Sequence, residues 1–140
     1  MLLIDTEGLG SLEEDSNHDA KIFALALLTS SLLVYNQVGA IDDEAIQRLA
    51  LVIKLSKFVD LDEIQQTPRL LWLLRDFSLQ LLNDQREEIT PTQYLETALR
   101  DQKGFSDAIV SKNRIRQLIR EYFGGRTECL TLVKPFAQNS

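Results

Sequence analysis

The chain of 140 residues has one cysteine, one histidine and only three prolines. The lone Cys129 excludes a disulfide within the chain, and together with the lone His18 it leaves no cluster of soft metal ligands. We predict Cys129 to be a buried strand residue and His18 to lie near a helix start. No apolar run approaches the ~18 residues that a membrane span needs, and "MLLI" is followed at once by Asp5 without a basic leader. We therefore expect a cytoplasmic location.

Positive charge is also scarce in this chain. Fifteen Lys and Arg stand against 21 Asp and Glu, which gives a net charge of −6. We therefore expect no nucleic-acid partner and no direct membrane contact. Small anions remain candidate ligands, because local backbone amides bind them whatever the net charge. The hydrophobic content of 44%, without a repeat or a linker, predicts one globular unit.

The chain does contain a regular alternation of short apolar runs and longer amphipathic segments. The predicted strands are Leu2–Ile4, Ser31–Asn36, Leu70–Leu74 and residues 127–133. The predicted helices are residues 18–30, which are apolar almost all round and expected to be buried, then Glu44–Phe58, residues 90–99, and a last helix with Ile115, Leu118, Ile119 and Tyr122 on one stripe. Strands that alternate with helices in this way predict an α/β fold with a parallel sheet.

Two helix starts are marked by capping residues. Asp42 is placed as the N-cap of the second helix. Thr90, Pro91 and Gln93 form the pattern of a capping box, with proline at the first helical position. These local signals predict two element boundaries.

Polar residues follow the last apolar residue of each predicted strand. They are Asp5, Asn36, Arg75 with Asp76, and Lys134. Ligands of parallel α/β sheets bind beyond the carboxyl ends of the strands, so these residues are expected to project onto one rim. The simpler interpretation is that a chain leaving a strand is polar in any case.

Two short motifs favour the functional interpretation. In "DTEG", a glycine three residues after Asp5 allows a backbone amide to approach an anion while the carboxylate holds a metal ion through water. In "RDF", Arg75 and Asp76 place a cation and an anion side by side, which suits a planar polar ligand.

Six segments resemble, in order and over essentially the whole chain, the GTPase domain of the guanylate-binding proteins, a dynamin-related large-GTPase group with a GB1/RHD3-type G domain. They are "LLIDTEGLG", "IFALALLTSSLLVYNQVGAID", "LLWLLRDFSLQL", "ITPTQYLETAL", "KNRIRQLIREYF" and "CLTLVKPF". The resemblance implies a P-loop-NTPase-type, three-layer, mostly parallel sheet with helices on both faces. It also implies GTP as substrate, Mg²⁺ as cofactor, and a homodimer of GTPase domains in the intact protein.

The resemblance assigns roles to five residues. Asp5 is the magnesium-side aspartate, Gly8 offers its amide to the γ-phosphate, and Glu7 helps to position the water network. Arg75 and Asp76 form the guanine-recognising "RD" pair. The chemistry is consistent, because a carboxylate accepts hydrogen bonds from guanine N1–H and the 2-amino group, whereas adenine lacks that amino group.

One family element is missing from the sequence. None of the six glycines is followed by lysine, so the phosphate-binding loop "GxxxxGK[ST]" is absent. In the family this loop lies upstream of "DTEG". The resemblance therefore implies that residues 1–140 are the C-terminal two-thirds of a GTPase domain, truncated at the N-terminus, and that this chain alone is inactive.

Two other functions remain as alternatives. The first is a catalytically dead interaction or dimerisation module, with partner contacts made by basic residues of the last helix: Lys112, Arg114, Arg116 and Arg120. The second is a phosphoacceptor domain that uses Asp5 and Lys134. Their separation of about 130 residues disfavours this last interpretation, because it needs unusually long loops.

Overall fold

The computed structural model describes residues 1–6, 16–57 and 67–135. Its elements in chain order are α1 (Ser16–Thr29), β1 (Leu32–Val38), α2 (Asp43–Ser56), β2 (Arg69–Arg75), α3 (Pro91–Ala98), α4 (Asp107–Phe123) and β3 (Thr127–Thr131). The strands pair in the order β1-β2-β3, and both pairings are parallel. The predicted α/β class is therefore confirmed as a parallel sheet flanked by helices, which is compatible with a P-loop-NTPase-type fold.

A layer of aromatic side chains connects the sheet to two helices. Trp72 of β2 is fully buried and meets Tyr35 of β1 at a ring-centroid distance of 4.7 Å, while Tyr35 meets Phe23 of α1 at 5.9 Å. The Tyr35 hydroxyl donates a hydrogen bond to the Ala45 carbonyl of α2 at 3.0 Å, and burial raises the pKa of Tyr35 to about 12. Aromatic pairs add about 0.5–1.5 kcal/mol beyond their burial, so this layer fixes α1 and α2 against the sheet.

The two faces of the described sheet differ in burial. On one face the strand residues are buried: Leu33, Tyr35, Leu70, Trp72, Leu74 and Cys129. On the opposite face four apolar residues are 42–57% exposed: Leu32, Val34, Val38 and Leu130. Cys129 is 2% exposed, which confirms it as a core residue. Burial raises the pKa of its thiol to about 11, which argues against a reactive thiol.

Both predicted helix caps are confirmed. Asp42 accepts a hydrogen bond from the backbone N–H of Ala45 at 2.8 Å. Thr90 accepts from the backbone N–H of Gln93 at 3.1 Å, and the Gln93 side chain accepts from the backbone N–H of Thr90 at 2.9 Å, which completes the capping box. These contacts are local in sequence, and for that reason the residue pattern predicts them.

The prediction of a strand at Leu2–Ile4 is wrong. These residues are 63–85% exposed and belong to no strand, because an apolar run becomes a strand only when another strand pairs with it. The expected all-round burial of the first helix is also wrong in part, since Leu25 of α1 is 58% exposed. Within the described ranges, no helix combines the length and apolarity that crossing a membrane requires.

A buried arginine connects the three later helices. Arg116 of α4 is 5% exposed; its Nε donates to the Ala98 carbonyl at the end of α3 (3.0 Å), and its Nη2 donates to Asp43 Oδ1 of α2 (2.6 Å). Lys112 Nζ lies 2.9 Å from the other oxygen of Asp43. Hydrogen bonds from Arg116 and then from Lys112 hold the pKa of Asp43 below its usual range.

We predict that Arg116→Met lowers the free energy of unfolding by about 1–3 kcal/mol, because the Ala98 carbonyl and the Asp43 carboxylate lose a donor. Urea unfolding of the purified chain measures this change. The matched control is Arg114→Met, an exposed position on the same helix, where a change within about 0.5 kcal/mol is expected. Equal losses in both variants would contradict the structural role of Arg116.

Stability should also depend on pH through Asp43. Because its folded-state pKa is lowered, the contribution of Asp43 is complete above the ordinary value of 3.8 and is lost as the pH falls through the lowered pKa. The difference in unfolding free energy between wild type and Asp43→Asn should therefore shrink in acid. The effect is small, because the carboxylate is 42% exposed and screened by solvent. A difference that stays constant as the pH falls below 3.8 would contradict the ion pair between Asp43 and Arg116.

Candidate functional site

The carboxyl end of β2 contains a bulge at Arg75 and Asp76. The Leu132 N–H donates to the Leu74 carbonyl at 2.7 Å, and the Leu132 carbonyl accepts from the Phe77 N–H at 3.0 Å. In a regular parallel ladder the second bond would come from residue 76, so one extra residue is inserted here. Asp76 accommodates it with a φ of 52°, in the left-handed region. Such bulges change the direction of side chains relative to a regular ladder, and Asp76 is the residue that this one inserts.

The neighbouring strand holds the other side of this bulge. The Arg75 carbonyl accepts a hydrogen bond from the N–H of Gly39, which follows β1, at 2.8 Å. Gly39 has a φ of 83°, a conformation that glycine adopts without strain. Gln37 stabilises the same turn, because its amide donates to the Ala40 carbonyl at 2.8 Å and accepts from the Trp72 indole N–H at 2.9 Å. The bulge is therefore held from both of its neighbours in the sheet.

Buried aromatic packing fixes the chain immediately after Asp76. Phe77 is 6% exposed, and its ring lies 5.8 Å from that of Tyr94 in α3. The Tyr94 hydroxyl accepts a hydrogen bond from the Ile41 N–H at 3.2 Å. Asp76 itself is exposed. The carboxylate thus stands at the surface between two anchored residues, at the carboxyl end of the sheet where α/β proteins bind ligands.

The side chain of Arg75 lies across the sheet toward β1. Its Nε donates a hydrogen bond to Asn36 Oδ1 at 2.7 Å. Val38 is the register partner of Arg75, so Asn36 is a diagonal neighbour on the same face. This contact was not predicted, although Asn36 was expected on the same rim as Arg75.

A cavity of about 550 Å³ lies beside β1 and includes several of the predicted rim residues. Its wall contains Asp5, Asn36 and Arg75 together with Thr6 and the ion-paired Arg48. Asp76 follows Arg75 directly but does not belong to this wall. The structure thus brings three of the predicted rim residues together around one cavity.

The remaining predicted residues lie elsewhere. Lys134 follows β3, which β2 separates from β1, and it does not belong to the wall of the cavity that contains Asp5. Glu7 and Gly8 lie outside the described residues.

The basic residues of α4 are mostly engaged within the chain. Arg116 and Lys112 both contact Asp43, and Arg120 donates to the Leu99 carbonyl and to Asp101, the latter at 2.9 Å. Only Arg114 of the four has no such contact with another described residue. The proposed partner surface on this helix is therefore largely a structural network that ties α4 to α2 and α3.

Comparison with known proteins identifies the family. A sequence model described as "Guanylate-binding protein, N-terminal domain" matches residues 1–140. The chain belongs to the guanylate-binding protein family. Among its relatives, Guanylate-binding protein 5 of Homo sapiens is 40% identical over 137 residues, which cover 88% of this chain and 23% of that protein. Guanylate-binding protein 1 of Mus musculus is 37% identical in an alignment of 149 residues, and the match covers 96% of this chain and 25% of that protein.

The chain spans about a quarter of the length of these curated relatives. A third relative, Guanylate-binding protein 2 of Homo sapiens, is 38% identical over 140 residues and covers 90% of this chain. The residues matched by the family model, 1–140, include the described sheet and the positions of Arg75 and Asp76.

The geometry of the bulge predicts how position 76 tolerates substitution. Asn adopts the left-handed region at least as readily as Asp, so Asp76→Asn should change the unfolding free energy by less than about 0.5 kcal/mol. Asp76→Val should lower it by about 1–3 kcal/mol, because a β-branched residue is strained at this φ. Urea unfolding of both variants measures the two changes. Equal stability of the valine variant and wild type would mean that residue 76 does not hold a positive φ in solution.

Proposed function

We propose that this chain forms part of a GTP-binding and GTP-hydrolysing domain in which Arg75 and Asp76 recognise guanine. The bulge that displays these two side chains at the carboxyl end of β2 is the observation that supports this role most directly. Membership in a family of proteins named for guanylate binding supports the choice of base. We also propose that the intact protein is a cytoplasmic, dynamin-related GTPase and that its GTPase domain forms a homodimer.

The carboxylate of Asp76 suits the guanine edge in its hydrogen-bonding polarity. Two carboxylate oxygens accept from guanine N1–H and from the 2-amino group, whereas adenine presents an acceptor at N1. Asp76 is exposed, and no hydrogen bond from another described residue engages its carboxylate. Charge-assisted bonds contribute about 1.5–3 kcal/mol each, so adenine would be strongly disfavoured.

The residues near Asp5 fit a magnesium ion in their donor chemistry. Asp5 is exposed and lines the cavity beside the hydroxyl-bearing Thr6. Mg²⁺ prefers oxygen ligands and is usually bound by one or two carboxylates together with phosphates and waters, so a single carboxylate here is sufficient. When bound, Mg²⁺ neutralises charge on the phosphate oxygens. We assign Asp5 to hold it through water.

Two residues of the segment after Asp5 complete the proposed site. Gly8 would donate its backbone N–H to the γ-phosphate, and Glu7 would orient the attacking water. The phosphate-binding loop is not among residues 1–140. In our proposal the hydrolytic site therefore needs that loop from sequence outside this chain.

We predict that Asp76→Asn reverses base preference. The test joins this chain to the phosphate-loop segment of a relative and titrates GTP, ATP and XTP by calorimetry. Wild type should bind GTP in preference to ATP, while Asp76→Asn should weaken GTP binding and favour XTP, because xanthine has a carbonyl where guanine has its amino group. An unchanged order of affinities would mean that Asp76 does not touch the base.

Two controls separate base recognition from other effects. Arg75→Ala should lower the affinity for GTP without reversing the preference, because the carboxylate still selects the guanine edge. The 140-residue chain alone should release phosphate from GTP no faster than buffer, because the loop lysine and its backbone amides are missing. Phosphate release by this chain that Asp5→Ala suppresses would contradict the need for the loop.

A further inference from the structure

We propose that Asn36 is a positioning residue for guanine recognition, because it fixes the guanidinium group of Arg75. The inference rests on the proposed function of Arg75 and Asp76. It assigns to β1 a side chain that acts on the base only through its neighbour on β2.

The hydrogen bond is specific in its geometry. Asn36 accepts from the Nε of Arg75 at 2.7 Å, and no other described residue accepts a hydrogen bond from the terminal nitrogens of this guanidinium. A guanidinium group is planar and presents its donors in a fixed fork, so a bond at Nε restricts the orientation of the whole plane. The terminal nitrogens of Arg75 then remain as donors for a ligand, in a group whose orientation is restricted in advance.

The backbone beneath this pair is fixed as well. The Arg75 carbonyl accepts from Gly39, and the strand pairing places Val38 opposite Arg75. With main chain and Nε both held, Arg75 loses little further side-chain freedom when a ligand binds. Preorganisation of this kind increases affinity without adding a contact between Asn36 and the ligand.

The same strand provides a matched control at its opposite end. Arg69 is the first residue of β2 and pairs with Glu128 of β3 at 3.0 Å. Both ends of β2 thus have an exposed arginine held by a side chain of a neighbouring strand. A merely structural role predicts similar effects when either acceptor is removed, whereas guanine positioning predicts a binding effect only at Asn36.

The test uses the ¹⁵N-labelled chain joined to the phosphate-loop segment of a relative, as in the titrations above, with GMP as the probe. In wild type and in Asn36→Asp, which keeps an acceptor, the Arg75 Nε–H signal should be resolved and slow to exchange. In Asn36→Leu this signal should exchange faster, and the Kd for GMP should rise roughly three- to tenfold. Glu128→Leu should leave the Kd unchanged.

A double-mutant cycle decides whether Asn36 acts through Arg75. Once Arg75→Ala has been made, Asn36→Leu should cause no further loss of GMP affinity. Additive losses, or an Arg75 Nε–H signal that Asn36→Leu does not alter, would overturn the positioning role. A wild-type chain whose Arg75 and Asp76 signals do not respond to GMP would instead overturn the proposed function, and with it the ligand role of Asn36.

Discussion

Two hydrogen bonds of Leu132, one to the last part of β2 and one to the chain just after it, determine the shape of the candidate site. Because they join Leu132 to Leu74 and to Phe77, the chain between these residues contains one position too many for a regular ladder. Asp76 absorbs the extra length in the left-handed region. An aspartate tolerates this conformation better than most residues. The same residue therefore fits the backbone of the bulge and supplies the carboxylate that we propose accepts hydrogen bonds from guanine.

The rest of the fold keeps this bulge in place. Trp72 of the same strand is buried, and its indole N–H donates to Gln37, which stabilises the turn that holds the Arg75 carbonyl. On the other side, Phe77 is buried against Tyr94 of α3. Arg116 connects the end of α3 with α2 and α4, so the layer of helices behind the site is tied together as well. The end of this strand is thereby fixed by direct contacts from Gly39, Leu132 and Tyr94.

The sequence predicts the elements better than it predicts their interactions. The caps at Asp42 and Thr90 and the three strands were predictable because their signals lie within a few residues of one another. Pairing depends on distant parts of the chain, and for this reason Leu2–Ile4 was wrongly assigned as a strand.

The same limit applies to the candidate site. Arg75, Asp76 and Asn36 were placed at one rim because each follows a run of apolar strand residues. Their mutual geometry could not be predicted, since the bulge requires Leu132 and the turn requires Gly39. Arg116 illustrates the converse: it was grouped with three other basic residues of the last helix as a candidate partner contact, but it is buried because Asp43 and the Ala98 carbonyl lie within reach.

The most direct test of the account is a crystal structure of the chain, joined to the phosphate-loop segment of a relative and bound to GDP. We expect the Asp76 carboxylate to accept from guanine N1–H and the 2-amino group at about 2.7–3.2 Å. We also expect the bulge at Arg75 and Asp76 to be unchanged and Arg75 to remain bonded to Asn36. A guanine bound elsewhere on the sheet, with the Asp76 carboxylate directed into solvent, would contradict the central claim.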